Sequence, residues 1–322
     1  MYIFAHRRFP LPGIFNTMNS QGSKIKVYCS TALILSATGL LLYCLSYLLA
    51  KDGSDYFVSG HPIPLLANAL AIAAVIWFAS ALILIPKNTL GTKDFMQGKC
   101  CITAILPLLG TLSAGAMVIS YFTPDDLVAL LSRERPLDAT ALCSGLAVLG
   151  TVLSVAFYAL RTANAPGLAS VTVVMGIGPV AMLTGLCGLT YFEQDHHMNA
   201  PAKIALQLAF IATMLYLTAE LRYTLDRAQP RRFLASSCIA IFANACALAG
   251  ALPAITDPAG TVHSTRILAL ALLCLCNGIY IAHRLVTFCK SCNLPDPTEL
   301  TQEKEIQDGC QQQDPMATQE DN

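Results

Sequence analysis

Long apolar segments separated by short polar segments dominate the sequence. Each apolar segment has about 20 residues, the length that a helix needs to cross about 30 Å of hydrocarbon. A barrel strand would be about half as long and would alternate in polarity, so the segments predict helices. Eight transmembrane helices are predicted, at Val27–Leu49, Ile63–Ile85, Cys101–Phe122, Ala139–Leu160, Leu168–Phe192, Ala202–Leu221, Leu234–Ile255 and Arg266–Phe288.

Composition supports a fold that is surrounded by lipid. The 322 residues are 55% hydrophobic and 12% charged, whereas soluble domains carry about 25% charged residues. The expected fold is therefore an all-α, polytopic membrane protein whose first partner is the lipid bilayer. With a net charge of zero, no basic arm and a single Trp, the sequence gives no indication of a nucleic-acid partner.

The distribution of Lys and Arg predicts the orientation. Fourteen lie in segments that are cytoplasmic if the N-terminus is cytoplasmic, namely Arg7, Arg8, Lys24, Lys26, Lys87, Lys93, Lys99, Arg161, Arg222, Arg227, Arg231, Arg232, Arg284 and Lys290. Only five lie in the opposite segments, namely Lys51, Arg133, Arg135, Lys203 and Arg266. Positive residues accumulate on the inner side. We therefore expect a multi-pass protein of the cell (plasma or inner) membrane with both termini cytoplasmic.

Three regions follow from the pattern. Residues 1–26 form an N-terminal cytoplasmic segment, and Met18 is an alternative start of the chain. Residues 27–289 form the transmembrane helical bundle, whose first helix is predicted to remain uncleaved because its apolar segment is long for a signal peptide. Residues 290–322 are rich in Gln, Glu and Asp, which predicts a disordered cytoplasmic tail.

A short motif recurs where the fourth, sixth and eighth predicted helices end. The segments FYALRTAN, YLTAELRYTL and IYIAHRLVTF each contain a Tyr followed by an Ala and an Arg, and the arginines are Arg161, Arg222 and Arg284. Their spacing of 61 and 62 residues indicates tandem helical hairpins inserted in the same direction. Convergence is the alternative, since Tyr and Arg suit any helix end at a membrane interface.

The segment TYFEQDHHMNAP concentrates polar chemistry on the predicted outer side. Imidazole and carboxylate side chains together suit Zn, Fe, Ni or Mn, which gives a candidate metal site at Glu193, Asp195, His196, His197 and His263. No recognised ligand spacing such as H-E-x-x-H is present. A polar loop exposed to water is the simpler interpretation, and the sequence requires no cofactor.

The helix interiors suggest a second candidate site. No predicted helix centre carries an ionisable residue, and Glu220 is expected to pair near Arg222 or to extend to the interface. Glycine and proline in the fifth predicted helix could break it, as they do in the broken helices of transporters. Uncharged amide side chains lie on the last two predicted helices. The candidate solute-binding residues are Gly176, Gly178, Pro179, Asn244 and Asn277. Helix packing around a proline kink is the alternative.

Three functions remain open at this point. The favoured hypothesis is a non-enzymatic protein that binds or transports a small uncharged or apolar solute within the bundle. A membrane-embedded enzyme that uses the outer His and acidic residues is the second, and a structural or assembly protein that acts through its cytoplasmic tail is the third. The sequence is compatible with a homo-oligomer.

Overall fold

The structure is a computed structural model that describes residues 12–51, 56–85, 101–119, 139–163, 169–192, 199–225, 229–252 and 261–292. All regular elements in these ranges are helices, and a single isolated bridge joins Lys51 to Phe57. The helices are α1 Pro12–Leu49, α2 Pro62–Leu84, α3 Cys101–Ile119, α4 Ala139–Ala163, α5 Ala169–Met175, α6 Ile177–Phe192, α7 Pro201–Thr224, α8 Pro230–Ala249 and α9 Thr261–Ser291.

The predicted all-α membrane fold is confirmed. Within the described residues, seven helical spans are long and apolar enough to cross a membrane, and α3 is a shorter apolar helix. The first helix begins earlier than the predicted Val27, although its apolar span is Ser23–Leu49. The side of the membrane on which each terminus lies stays a prediction. The tail after residue 292 and its predicted disorder lie outside the described residues.

Proline determines where several helices begin. α2, α7 and α8 each start with a proline, which suits the first helical position because the N–H that it lacks has no partner there. Before α2, the Nδ1 atom of His61 accepts a hydrogen bond from the backbone N–H of Ile63 at 3.4 Å. His61 therefore caps the start of α2.

The fifth predicted helix is interrupted, and α5 and α6 are its two parts. Gly176 separates them, and its N–H contacts the carbonyl oxygens of Thr172 and Val173 at 2.9 and 3.1 Å. Pro179 follows three residues later and has no N–H to donate to the carbonyl of Met175. The expected break in this helix is therefore present.

Six helical spans contact one another in a closed series. Around this series α3 packs on α4, α4 on α6, α6 on α7, α7 on α8, α8 on α9, and α9 returns to α3. Each predicted hairpin is a pair of packed neighbours, so the tandem-hairpin arrangement is confirmed. The first hairpin, α1 with α2, packs on α8 from outside the series, which makes α8 the most buried span.

Backbone contact between α4 and α6 depends on glycine. A Cβ atom on Gly150 would lie 2.2 Å from the backbone N of Met182, and one on Gly185 would lie 2.6 Å from the backbone N of Ala147. Only glycine permits such an approach, and small residues serve this purpose in membrane helix packing. These contacts hold α4 firmly against the next hairpin.

The outer surface of the bundle is apolar. Large aliphatic side chains of α2 are exposed, for example those of Leu65, Ile72 and Ile83. The most exposed of these three is Ile83, at 85%. In water such a surface would be unfavourable, whereas in lipid it costs nothing. The described helices therefore present the surface that a bilayer requires.

Candidate functional site

Three tyrosines meet where α4, α7 and α9 end on the same side of the bundle. The rings of Tyr158 and Tyr216 each contact the ring of Tyr280 edge-on, with centroid separations of 6.2 and 6.3 Å. All three side chains are buried. Edge-to-face contacts between aromatic rings are favourable. These two contacts bring the tyrosine of each repeated motif together between the three helices.

About one helical turn further along, three charged side chains meet, which we call the ionic centre: Arg161, Glu220 and Arg284. Oε1 of Glu220 accepts hydrogen bonds from Nη2 of Arg161 at 2.5 Å, from Nε of Arg284 at 3.0 Å and from the hydroxyl of Tyr280 at 2.9 Å. The side chains of Glu220 and Arg284 are 1% and 2% exposed. The ionic centre therefore joins three separate hairpins.

The hydrogen bonds in the ionic centre are unevenly distributed over the carboxylate. Two guanidinium groups contact one carboxylate. All three hydrogen bonds reach Oε1, whereas Oε2 of Glu220 is buried and has no hydrogen-bond partner among the described residues. The hydroxyl of Tyr216 lies near this carboxylate and has no hydrogen-bond partner in the described part of the chain. Most buried polar atoms are bonded, so the centre has unused binding capacity.

Arg161 is the part of the ionic centre that reaches the surface. Its side chain is 14% exposed, and its guanidinium carbon lies 5.7 Å from the centroid of the Phe157 ring, a distance typical of a cation–π contact. Because Arg161 lies two residues before the end of α4, the accessible edge faces the side of the membrane on which α4, α7 and α9 end.

Glu220 pairs near the helix end that carries Arg222, as expected, but its partners are Arg161 and Arg284. Arg222 instead donates from Nη1 to Oε1 of Gln229 at 2.9 Å. The reason is helix geometry, since residues two apart on a helix do not face each other. Glu220 also lies inside the candidate span Pro201–Tyr223. The sequence feature that could have identified the site is a charged residue about one turn after each repeated tyrosine. In the middle motif this residue is Glu220, and not Arg222.

The candidate amides take part in helix packing. Nδ2 of Asn244 donates to Oγ1 of Thr213 on α7 at 2.9 Å and to the carbonyl of Ala240 at 2.8 Å, while its Oδ1 is buried without a partner in the described part of the chain. Asn277 on α9 is also buried, and its neighbour Gly278 lies against Asn244. The residue after Asn277 therefore lies against Asn244, and no described hydrogen bond joins the two amides.

The glycine–proline segment lies at a different interface. A Cβ on Gly178 would be 2.4 Å from Cβ of Leu153, and one on Gly176 would be 2.4 Å from Cδ2 of Leu221, while Pro179 is buried. The segment therefore packs α6 against α4 and α7, whereas Asn244 joins α8 to α7. The residues predicted as one solute site are divided between two interfaces.

The candidate metal site lies almost entirely outside the structure. Glu193, Asp195, His196 and His197 fall outside the described residues, and His263 lies in α9 but its side chain is not described. Over the ranges that are described, no group of three or more His, Cys, Asp or Glu side chains could hold a metal ion. The outer metal site stays a prediction.

Comparison of the chain with protein-family models, with curated proteins and with solved structures gives no match. The class of protein is therefore defined by the fold and its composition, namely a multi-pass helical membrane protein built from tandem hairpins. The ionic centre is its most distinctive chemical feature.

Proposed function

We propose that this membrane protein binds a small solute inside its helical bundle, at the ionic centre where α4, α7 and α9 meet. The observation that supports this function is Oε2 of Glu220, a buried carboxylate oxygen that no described donor reaches. Charged groups in a membrane protein are costly, face the interior and commonly mark binding sites or ion pathways. A ligand at this position would supply interactions that the protein leaves unmade.

A purely structural role explains the ionic centre less well. A structural ion pair is most stable when its remaining lone pairs are bonded, and Oε2 of Glu220 has no hydrogen-bond partner among the described residues. Arg161 is also partly exposed, so the centre can be reached from the surface. Both features suit a site that is completed when a solute binds.

The ionic centre changes the expected character of the solute. The hypothesis from sequence was an uncharged or apolar solute near Gly178 and Asn244, whose surroundings are packed helix interfaces. Buried charge favours a polar solute at Arg161 and Glu220 instead. Transport across the membrane remains part of the proposal and requires a second opening on the opposite side.

Thermal unfolding of the full chain in detergent tests the proposal. The protein is heated with solutes of different classes at constant ionic strength, including neutral amides, sugars, amines, carboxylates and phosphate. A ligand of the native state stabilises it by about 2.7 kcal/mol at a hundredfold excess over Kd. We expect one class to raise the unfolding temperature of the native sequence and of Arg222→Gln, but not of Glu220→Gln.

The proposal would be contradicted if no solute class stabilised the folded native protein, or if the stabilisation were unchanged in Glu220→Gln. Arg222→Gln is the matched control because Arg222 lies on the same helix end but bonds Gln229 outside the ionic centre. For a solute that binds, uptake into liposomes containing the protein then distinguishes a transporter from a receptor-like binding protein.

A further inference from the structure

We infer that Cys29 and Cys289 are a redox-sensitive pair, and that oxidation joins α1 to α9 through a disulfide bond between them. Both residues are thiols in the structure. The pair lies apart from the ionic centre, so the inference does not depend on the proposed function. The bond would attach the first hairpin, which packs outside the closed series, to one helix of that series.

The position of the two sulfur atoms is the first argument. α1 and α9 are in contact, and Sγ of Cys289 lies 4.0 Å from the carbonyl oxygen of Ile25, one turn before Cys29 on α1. The thiols of Cys29 and Cys289 are hydrogen-bonded to each other. A disulfide forms without large backbone movement only between cysteines that are already neighbours and point toward each other. This contact meets that requirement.

A third thiol marks the same turn of α1 as a cluster of cysteines. Sγ of Cys238 on α8 donates to the carbonyl oxygen of Tyr28 at 3.8 Å, next to Cys29. Three helices therefore each bring a thiol to one place. Cys238 is the competing partner for Cys29, and the hydrogen bond between Cys29 and Cys289 selects Cys289 as the preferred one.

Access to the pair is the second argument. Cys29 and Cys289 are 8% and 7% exposed, so neither is sealed inside the bundle. Cys289 lies two residues before the end of α9, and Cys29 lies six residues after the start of its apolar span at Ser23. A small oxidant can therefore reach the pair from the side of the membrane on which α9 ends.

Thiol–disulfide exchange is the reaction that we expect, with a small disulfide RSSR as the oxidant. One thiol of the pair loses its proton, attacks a sulfur of RSSR and breaks its S–S bond, which releases one RSH and leaves a mixed disulfide. The second thiol loses its proton, attacks the mixed disulfide and releases the second RSH. The pair has then lost two electrons and two protons, and an excess of RSH reverses the reaction. In a reducing compartment such bonds are transient and sense the redox state.

Peptide mapping of the full chain in detergent tests the inference. Trypsin separates Cys289 from Cys292, because Lys290 lies between them, whereas Cys29 and Cys44 remain on one peptide. Cys44→Ser is therefore the parent protein, so that a link can be assigned to Cys29. The protein is incubated with oxidised glutathione or with diamide, the remaining thiols are blocked with N-ethylmaleimide, and the digest is analysed without reduction.

We expect both oxidants to link the peptides of Cys29 and Cys289 and dithiothreitol to separate them. In mixtures of oxidised and reduced glutathione, the linked fraction should rise with the proportion of the oxidised form. Cys289→Ser should abolish the link, and Cys238→Ser should retain it. The unfolding temperature of the linked protein should be higher, because the bond restricts the unfolded chain.

Four results would overturn the inference. They are the absence of this link after both treatments, a link from Cys29 to Cys238 in its place, a link that forms only after denaturation, and a fall in the unfolding temperature of the linked protein. If Cys289→Ser does not fold, mapping of the Cys44→Ser parent still decides between these results and the expected one.

Discussion

Nε of Arg284 on α9 lies 3.0 Å from Oε1 of Glu220 on α7, although 64 positions separate the two residues in sequence. Each follows a buried tyrosine by four residues, Tyr280 and Tyr216 respectively. The two residues therefore occupy equivalent places in successive hairpins and carry opposite charges. With Arg161 from the preceding hairpin, they show how a repeated helix end produces a single central site.

The hydrogen bond between Asn244 and Thr213 should stabilise the contact of α8 with α7. Asn244→Leu removes the Nδ2 donor, and Thr213→Val removes its acceptor. Because interhelical hydrogen bonds in membrane proteins contribute about 0.6 kcal/mol on average and up to about 1.7, a double-mutant cycle should give a coupling energy in this range. The free energy of unfolding in detergent provides the measurement.

Thr218→Val is the control for this cycle, because the Thr218 hydroxyl bonds the carbonyl of Leu215 on its own helix. Its coupling with Asn244→Leu should be close to zero. Equal coupling for Thr213 and Thr218 would show that the Asn244 contact is not specific.

Close packing of α4 on α6 should make one glycine indispensable and another replaceable. Gly150→Ala places a Cβ 2.2 Å from a backbone atom of Met182, so the helices must separate, at a cost of about 1–3 kcal/mol. Gly145→Ala, on the same helix, meets no atom within 4 Å and should leave stability unchanged or raise it. Thermal unfolding of both variants tests this, and similar losses for the two would contradict the described interface.

The thiol of Cys292, at the end of α9, should react with an unusual dependence on pH. Burial raises the pKa of Cys292 to about 11, so only a small fraction of the thiol is ionised at pH values well below this one. Its alkylation rate should therefore rise about tenfold per pH unit through pH 10, because the thiolate is the nucleophile. A cysteine with the ordinary pKa of about 8.5 would already level off near pH 9.

Alkylation with iodoacetamide, followed by mass spectrometry of the peptide that contains Cys292, measures this rate. The same peptide in denatured protein is the control and should show the ordinary profile. A plateau at pH 9 in the folded protein would show that the surroundings of Cys292 do not raise the pKa of its thiol.

Orientation in the membrane can be tested with reporters fused to the full chain or to its early part. The positive-inside distribution predicts that a green fluorescent protein fused after Asn322 is fluorescent and that alkaline phosphatase fused there is inactive. Alkaline phosphatase fused after Lys51 should be active, because this residue is predicted to lie outside. The reverse pattern at both positions would contradict the predicted orientation, and the solute would then reach Arg161 from the opposite side of the membrane.

Much of the fold could be predicted because lipid imposes a length on every crossing helix. The break at Gly176 was also predictable, since Pro179 removes a backbone donor. The partners of Glu220 were not, because they lie 59 and 64 residues away and local spacing gives only the face of the helix. The repeated arginines suggested Arg222 as the equivalent residue, whereas position relative to Tyr216 identifies Glu220.

The candidate site shows the same limit. Sequence identified buried amides and small residues, but whether such residues pack helices or line a ligand site depends on which helices are neighbours. Asn244 and Gly178 proved to lie at different interfaces because α6 contacts α4 and α7, whereas α8 contacts α7 and α9.

The most direct test of the ionic centre compares two neutralising substitutions. Glu220→Gln removes the carboxylate that both guanidinium groups contact, whereas Arg161→Gln leaves the contact of Glu220 with Arg284 in place. Removing the partner of a buried charge costs about 3–5 kcal/mol, so we expect a loss of this size for Glu220→Gln and a clearly smaller loss for Arg161→Gln. Arg222→Gln is the control and should change little.

The measurement is the free energy of unfolding of these variants in the same detergent. Because Glu220 contacts both arginines, we expect the order Glu220→Gln, then Arg161→Gln, then Arg222→Gln, from most to least destabilised. Adding Arg161→Gln to Glu220→Gln should recover part of the stability. A loss for Arg161→Gln that equals or exceeds the loss for Glu220→Gln would contradict the account of an ionic centre in which Glu220 joins the two arginines.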